Sequence, residues 1–132
     1  MTKSFVMEIV TPARKVLSTE VESVVVPSAD GYLGILVNHA PLVTALGIGV
    51  LRYTSKGKED SVVISGGFME VNNNKLSIMA DTAELSGEID IKRAETAEKR
   101  ARERLQQKDG VDVLRAELAL RRALARQEVG RG

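Results

Sequence analysis

The sequence predicts an all-β sandwich or barrel followed by an antiparallel hairpin of two helices, and three observations support that fold class. Before residue 86, short runs rich in Val, Ile, Phe and Tyr alternate with turn residues at intervals of about 8 to 12 residues. All three prolines lie in the first third, and only three of the eleven glycines lie beyond Gly87. Residues 89–127 are mainly Ala, Leu, Glu, Arg and Lys, which are strong helix formers. We therefore expect a β domain over residues 1–86 and a helical hairpin over residues 87–132.

The β domain is predicted to be a series of hairpins. Residues 5–11 place apolar side chains on one face, and a second run from Val21 is expected to end at Pro27. Asp30-Gly31 predicts a turn, and Asn72-Asn73-Asn74 predicts a tight hairpin turn, because asparagine tolerates positive φ. The other predicted strands cover residues 50–54, 61–64, 68–71 and 76–80, with a hairpin tip at 55–60.

Two helices are predicted in the second part of the chain, separated by a turn at residues 108–110. Neither segment is long enough to be a stable helix alone in water, so we expect the two to pack against each other. Residues at three- and four-residue spacing on the first helix form a seam that permits close approach: Ala94, Ala97, Ala101 and Leu105. The second helix is expected to contribute bulkier residues: Leu114, Leu118, Leu120 and Leu124.

The two predicted helices contain an internal repeat with an offset of 22 residues. Residues 89–95 recur as residues 111–117, and each copy has an Asp that is expected to cap its helix. Each copy also carries arginines at positions i, i+7 and i+11, which lie within about 20° of one line along an α-helix. Both helices therefore have an arginine stripe: Arg93, Arg100 and Arg104 in the first copy, Arg115, Arg122 and Arg126 in the second.

The arginine stripes have three explanations. The simplest is a solvated face with Glu partners. In an antiparallel hairpin, however, the start of the first helix lies beside the end of the second, which brings Asp90 and Arg93 towards Arg122 and Arg126. Unpaired helix amides, the positive end of the helix dipole and guanidinium groups suit a phosphate, so a polyphosphate is a reasonable ligand there. Acidic segments of another protein would satisfy the same arginines.

Length, charge and composition exclude several functional classes. The 132 residues exclude a large multidomain catalyst, and a formal net charge of +1 is too small for a bulk polycation that coats nucleic acid. The positive excess lies in residues 86–132, which carry 12 basic against nine acidic residues. The chain has no Cys and one His, which argues against thiol chemistry and zinc sites. No apolar run approaches about 20 residues, so we expect no direct membrane insertion.

Other candidate chemistry is weak. Gly66-Gly67 precedes strand-like residues and not a helix, so a bulge or turn is expected there and not a phosphate-binding loop. His39, next to a small-residue turn, is more simply a hydrogen-bonding loop residue than a catalytic one. Because no pair of carboxylates lies in a context that marks an acid and a base, no enzyme activity is predicted. The four aromatic residues are too few for a base-stacking platform, so nucleic acid is not expected as a partner.

Several segments, taken in order, resemble one known family over nearly the whole chain. They are residues 31–36, 39–42, 65–68, 70–71, 80–83, 89–90, 93–94 and 115–119. Their order and spacing are similar to those of the epsilon subunits of bacterial F-type ATP synthases. The resemblance implies a sandwich of ten strands followed by a two-helix C-terminal hairpin.

The resemblance also implies a function. Such subunits are non-catalytic parts of the central rotor of the proton- or ion-translocating ATP synthase, peripheral at the cytoplasmic face of the cell membrane. The sandwich binds the gamma subunit and the c-ring, which couples ion flow to ATP synthesis. The hairpin folds against the sandwich or extends into the alpha/beta catalytic head, where it inhibits ATP hydrolysis.

Some members of this family bind ATP in the folded form through the motif Ile-Asp-x-x-Arg-Ala, which is intact here at residues 89–94. The resemblance implies that the adenine side is held by Ile89, Asp90, Ala94 and Glu84. The residues implied for the phosphates are Arg93, Arg100, Arg122 and Arg126. It implies no catalytic cofactor or protein-bound metal and leaves magnesium open. Two departures from the family pattern, Tyr32 and Val37-Asn38, affect the loop contacts expected with the c-ring.

The hypothesis is that ATP stabilises the folded hairpin because it binds that state preferentially. In the extended state, Arg115, Arg121 and Arg122 are expected to pair with acidic residues of a catalytic subunit. Two other classes of function stay open from the sequence: a free-standing ATP-sensing module outside any rotor, and a small nucleotide hydrolase.

Overall fold

The computed structural model describes residues 3–107 and 112–130; the turn predicted at 108–110 lies outside these ranges. The described residues form eight strands, one 3-10 turn and two α-helices. The strands are β1 (Phe5–Val10), β2 (Lys15–Val21), β3 (Ser23–Ser28), β4 (Gly31–Leu36), β5 (Leu42–Ala45), β6 (Ile48–Ser55), β7 (Lys58–Asn72) and β8 (Lys75–Leu85). The 3-10 turn (Ser86–Glu88) precedes α1 (Ile91–Gln106) and α2 (Val113–Gly130). The predicted sandwich and hairpin are confirmed, with eight described strands where ten were expected.

The strands pair in the order β2-β1-β8-β7-β6-β3-β4, and β5 pairs with β7 next to β6. The β1–β8 pair is parallel, and the other pairs are antiparallel. The sheet encloses one apolar core, and the predicted face of β1 is confirmed by the burial of Phe5, Met7 and Ile9. The largest fully buried side chains are Met7, Ile9, Ile35, Leu51, Ile64, Met69, Leu76 and Ile78.

β7 is one strand of 15 residues and not the two strands expected at 61–64 and 68–71. Its register with β8 is the same on both sides of Gly66, since Ser65 lies opposite Thr82 and Gly67 opposite Ala80. Gly66 and Gly67 have φ of 71° and 108°, so they kink the strand without breaking it. At this kink the neighbour of β7 on its other edge changes from β6 to β5.

The other differences concern strand ends and short strands. β2, β4 and β5 were not predicted, and Val21 ends β2 while β3 continues through Pro27. Pro27 is tolerated because it lies beyond Ser23–Val25, the part of β3 that pairs with β6, so its missing N–H breaks no bond there. The β6–β7 hairpin tip is shorter than predicted. The turn predicted at Asn73 and Asn74 is confirmed by φ of 50° and 57°.

The two helices pack through alanines contributed by both. Ala94 and Ala101 of α1 are buried, which confirms the small-residue seam, and they face a surface of α2 that includes Ala116 and Ala123. These two are the 22-residue repeat equivalents of Ala94 and Ala101, so each copy presents the same small face. The expected contribution of α2 leucines is wrong for Leu114 and Leu124, which are exposed, whereas Leu118 and Leu120 are half-buried.

α2 docks on the outer face of the β6–β7 hairpin. Val50 and Val63 form a second apolar cluster with Ala125 and Val129 of α2, and Ile89 packs against it. The β6–β7 hairpin is therefore buried on both faces, by the sandwich core on one side and by α2 on the other. No helix in the described ranges is long and apolar enough to span a bilayer.

Candidate ligand site between the hairpin and the sandwich

A cleft of about 760 Å³ opens where the end of β8 and the 3-10 turn meet the first turns of α1 and the C-terminal half of α2. Six of the eight residues predicted for a ligand site line it: Glu84, Asp90, Arg93, Ala94, Arg100 and Arg126. Three further residues, which the sequence did not suggest, complete the lining: Glu88, Thr96 and Ala97. The antiparallel packing of the helices therefore places two arginines of the first stripe and one of the second along the same cleft: Arg93, Arg100 and Arg126.

Two of the predicted site residues are not among those that line the cleft. Ile89 packs against the apolar cluster between α2 and the β6–β7 hairpin, so its side chain supports the docking of the hairpin. Arg122 is half-buried on α2, one turn before Arg126. Its role in a ligand site stays a prediction.

Both copies of the repeat begin with the predicted Asp cap. The Asp90 carboxylate accepts the Arg93 backbone N–H at 3.1 Å, and the Asp112 carboxylate accepts that of Arg115 at 3.0 Å. The carboxylate of its own cap therefore already accepts the Arg93 amide of α1, so this amide is not offered to an anion. Arginine side chains supply the positive charge in the cleft.

The charged side chains that line the cleft balance by count, with three carboxylates and three guanidinium groups. Arg126 Nε donates to Glu84 Oε1 at 2.6 Å, and both side chains are 30% exposed. Arg93 and Arg100, by contrast, form no ion pair within residues 3–107 and 112–130. Because guanidinium groups bind phosphate oxygens through paired hydrogen bonds, these two arginines are available to an anionic ligand.

Glu88 anchors the 3-10 turn at the edge of the cleft. Its carboxylate accepts from Arg14 Nη2 at 2.7 and 2.9 Å and from the Leu85 backbone N–H at 2.9 Å. These bonds, with that from Arg14 the stronger, hold the pKa of Glu88 below its ordinary value. Ser86 donates to Asp60 at 3.0 Å, which attaches the same turn to the start of β7.

The Arg14–Glu88 contact predicts a pH-dependent stability. Since the folded-state pKa of Glu88 is lowered, its contribution is present at neutral pH and is lost as the pH falls through that lowered value. The pair is half-exposed, so we expect E88Q to destabilise the protein at pH 7 by less than about 1 kcal/mol.

Thermal unfolding of wild type and E88Q at pH 7 and at pH 3 checks this expectation. The difference between the two melting temperatures should be smaller at pH 3 than at pH 7. A difference of equal size at both pH values would show that the carboxylate charge does not matter.

Polar contacts also fix α2 beside the cleft. Gln127, buried between the helices, donates to Glu98 Oε1 at 2.7 Å, and Arg52 of β6 pairs with Glu128 at 2.5 Å. Arg102, which lies outside both arginine stripes, pairs with Glu98 along α1. Within the described ranges, no group of three or more His, Cys, Asp or Glu side chains is arranged to hold a metal ion.

The docking surface of α2 was missed, although the sequence carries a signal for it. Val62-Val63-Ile64 and Val50-Leu51 are consecutive apolar residues in strands that otherwise alternate. Such runs are typical of strands covered on both faces. Glu88 carried no comparable signal, because its partner Arg14 lies 74 residues away in the chain.

Two residues considered in the sequence make contacts outside the cleft. His39 Nδ1 lies 2.7 Å from the Ala40 carbonyl oxygen. The Tyr32 hydroxyl accepts the Val50 backbone N–H at 3.1 Å, and its ring lies close to Gly49. The Tyr32 side chain therefore covers the edge of β6 beyond the segment that pairs with β3.

The fold and the site together define a class of protein in which a C-terminal helical hairpin docks on a β-sandwich domain and an arginine-lined cleft lies between the two. Residues 4–86 match the family described as ATP synthase, Delta/Epsilon chain, beta-sandwich domain. Residues 88–129 match ATP synthase, Delta/Epsilon chain, long alpha-helix domain.

Named relatives and solved structures agree with these matches. The chain is 50% identical over 131 residues to the ATP synthase epsilon chain of Desulfitobacterium hafniense (strain Y51), covering 99% of each chain. It is 51% identical over 127 residues to that of Desulforamulus reducens, covering 96% of each. A chain of the Euglena gracilis mitochondrial ATP synthase, solved with its OSCP, F1 and c-ring, superposes with a TM-score of 0.83 at 27% identity, over 92% of this chain and 78% of that one. The protein belongs to the family of ATP synthase epsilon chains.

A second structure supports the fold alone. A chain of the central stalk and c-ring of the Tetrahymena thermophila mitochondrial ATP synthase superposes with a TM-score of 0.56 at 17% identity, over 98% of this chain and 93% of that one.

Proposed function

We propose that this chain is a non-catalytic subunit of the central rotor of a proton- or ion-translocating ATP synthase, peripheral at the cytoplasmic face of the cell membrane. Its sandwich binds the gamma subunit and the c-ring and so couples ion flow to ATP synthesis. Membership of the epsilon family and the likeness to a chain solved together with F1 and a c-ring support this role.

The folded hairpin, we propose, binds ATP in the cleft. The observation that carries this proposal is the meeting of Arg93, Arg100 and Arg126 at one end of the hairpin, with two of the three not engaged in ion pairs among the described residues. The cleft volume of about 760 Å³ lies within the range of small-molecule sites, roughly 300 to 1,000 Å³. Asp90 and Ala94 are then the residues beside the base or the ribose.

ATP in this cleft regulates the subunit because the cleft exists only while α1 and α2 are docked. A ligand that binds one state shifts the population towards it, and ATP at 100 times its dissociation constant contributes about 2.7 kcal/mol. High ATP therefore keeps the hairpin docked. At low ATP the helices extend towards the alpha/beta catalytic head and inhibit ATP hydrolysis.

In the extended state, Arg115, Arg121 and Arg122 pair with acidic residues of a catalytic subunit. Replacing these arginines by Glu should relieve inhibition, and reversing the facing acidic residues to Arg should restore it. If the double reversal leaves the assembled, folded enzyme uninhibited, this contact is not the source of inhibition.

Isothermal titration of ATP into the purified chain, with and without magnesium, tests the ligand. Saturable heat at millimolar ATP or below is expected, and none at all would exclude the site.

Co-purification with a membrane ATPase tests the rotor role against the role of a free-standing ATP sensor. A phosphate-release assay on the purified chain tests both roles against a small nucleotide hydrolase, and we expect no release.

A further inference from the structure

In the cleft, one arginine of the proposed phosphate set already has an anionic partner in the same chain. Arg126 Nε donates to Glu84 Oε1 at 2.6 Å, across the gap between the end of β8 and α2. We infer that Glu84 competes with the ligand for Arg126, an inference that rests on the proposed function. Glu84 holds Arg126 while the cleft is empty, and a phosphate of the ligand must displace it.

Glu84 differs in this respect from the other two carboxylates of the cleft. Glu88 is bound by Arg14 and by the Leu85 amide, neither of which lines the cleft. Asp90 accepts a backbone N–H of its own helix. Glu84 is thus the carboxylate, among those the cleft presents, whose partner is a cleft arginine.

The competition follows from the chemistry of the guanidinium group. A carboxylate and a phosphate bind the same N–H donors, and Nε–H is one of the donors in the planar fork of Arg126. Ligand binding at Arg126 therefore exchanges one charged hydrogen bond for another and leaves the Glu84 carboxylate beside an anion. Both effects lower the affinity relative to a cleft in which Arg126 is free.

This role opposes the one that the family resemblance gives to Glu84. A residue that holds the adenine side contributes binding energy, so its removal weakens the complex. A competitor does the reverse. The substitution Glu84→Gln keeps the shape of the side chain, removes its charge and separates the two roles by the sign of one effect.

The experiment is an isothermal titration of magnesium-ATP into the full chain as wild type, E84Q and E88Q. We expect E84Q to bind about threefold to tenfold more tightly than wild type, the range for loss of a half-exposed charged competitor. E88Q removes the same unit of negative charge from the same cleft but leaves Arg126 paired. It should bind within about twofold of wild type.

A double-mutant cycle shows whether the effect passes through Arg126. In an R126Q background, E84Q should change the affinity for ATP by less than about twofold, because no arginine remains for Glu84 to hold. Circular dichroism of each variant establishes that the helices are retained.

Each result either supports or overturns the competitor role of Glu84. Weaker or unchanged binding by E84Q, an equal gain in E88Q, or the full gain in the R126Q background would each overturn the competitor role while leaving ATP binding in place. Absence of ATP binding in wild type and E84Q together would remove the proposed site and the competitor role with it. Binding by E84Q where wild type shows none would support both.

Discussion

Replacing Gly67 by Ala should destabilise the sandwich by roughly 3 to 5 kcal/mol, because strain and steric overlap add at this position. Gly67 has φ of 108°, a backbone conformation that alanine adopts only at a cost. Its Cβ would also overlap the Met79 carbonyl oxygen and lie 2.8 Å from Ala80 Cα. Both of these atoms belong to the neighbouring backbone of β8, which cannot move without breaking the pairing with β7.

Gly34→Ala is the matched control. Gly34 lies in exposed β4, and a Cβ there would have no atom within 4 Å. We expect a change within about 0.5 kcal/mol. Urea unfolding of the two variants measures the difference, and equal stabilities would mean that the kink at Gly66-Gly67 does not constrain the fold.

Replacing Arg93 by Gln should weaken ATP binding by about tenfold to a hundredfold, the usual effect of losing one charged hydrogen bond to phosphate. Arg93 lines the cleft and forms no ion pair within the described ranges, so replacing it breaks no ion pair of the fold. The effect therefore reports on the ligand and not on a lost internal partner.

The internal repeat supplies the control for this substitution. Arg115 occupies the same place in the second copy, at the same position after an Asp cap, but does not line the cleft. Isothermal titration of ATP into R93Q and R115Q should show weakened binding in the first alone. Equal affinities in the two variants would place the ligand elsewhere on the molecule.

The sequence predicts those parts of the fold that depend on local spacing. The face of β1, the turn at Asn73 and Asn74 and the Asp caps each follow from a few neighbouring residues, and the structure confirms them. The arginine stripes were placed by helical geometry together with one assumption, antiparallel packing. Arg93, Arg100 and Arg126 then meet, although Arg122 stays outside the lining of the cleft.

Local spacing does not predict which segments, distant in the chain, pack against each other. The alanines of α2 are buried because both copies of the repeat have small residues there, and hydrophobicity alone wrongly predicted burial of Leu114 and Leu124. Gly66-Gly67 was expected to interrupt a strand, but pairing with β8 on both sides keeps β7 continuous. Glu84 meets Arg126 only after α2 has docked, 42 residues further along the chain.

The central claim is that ATP binds the docked hairpin and stabilises it, and amide hydrogen exchange of α1 and α2 tests it most directly. At an ATP concentration 100 times the dissociation constant, amides that exchange through undocking of the hairpin should slow by about a hundredfold, and R93Q should lose most of this protection. Helix amides that exchange equally fast with and without ATP, while calorimetry shows saturation, would contradict the account.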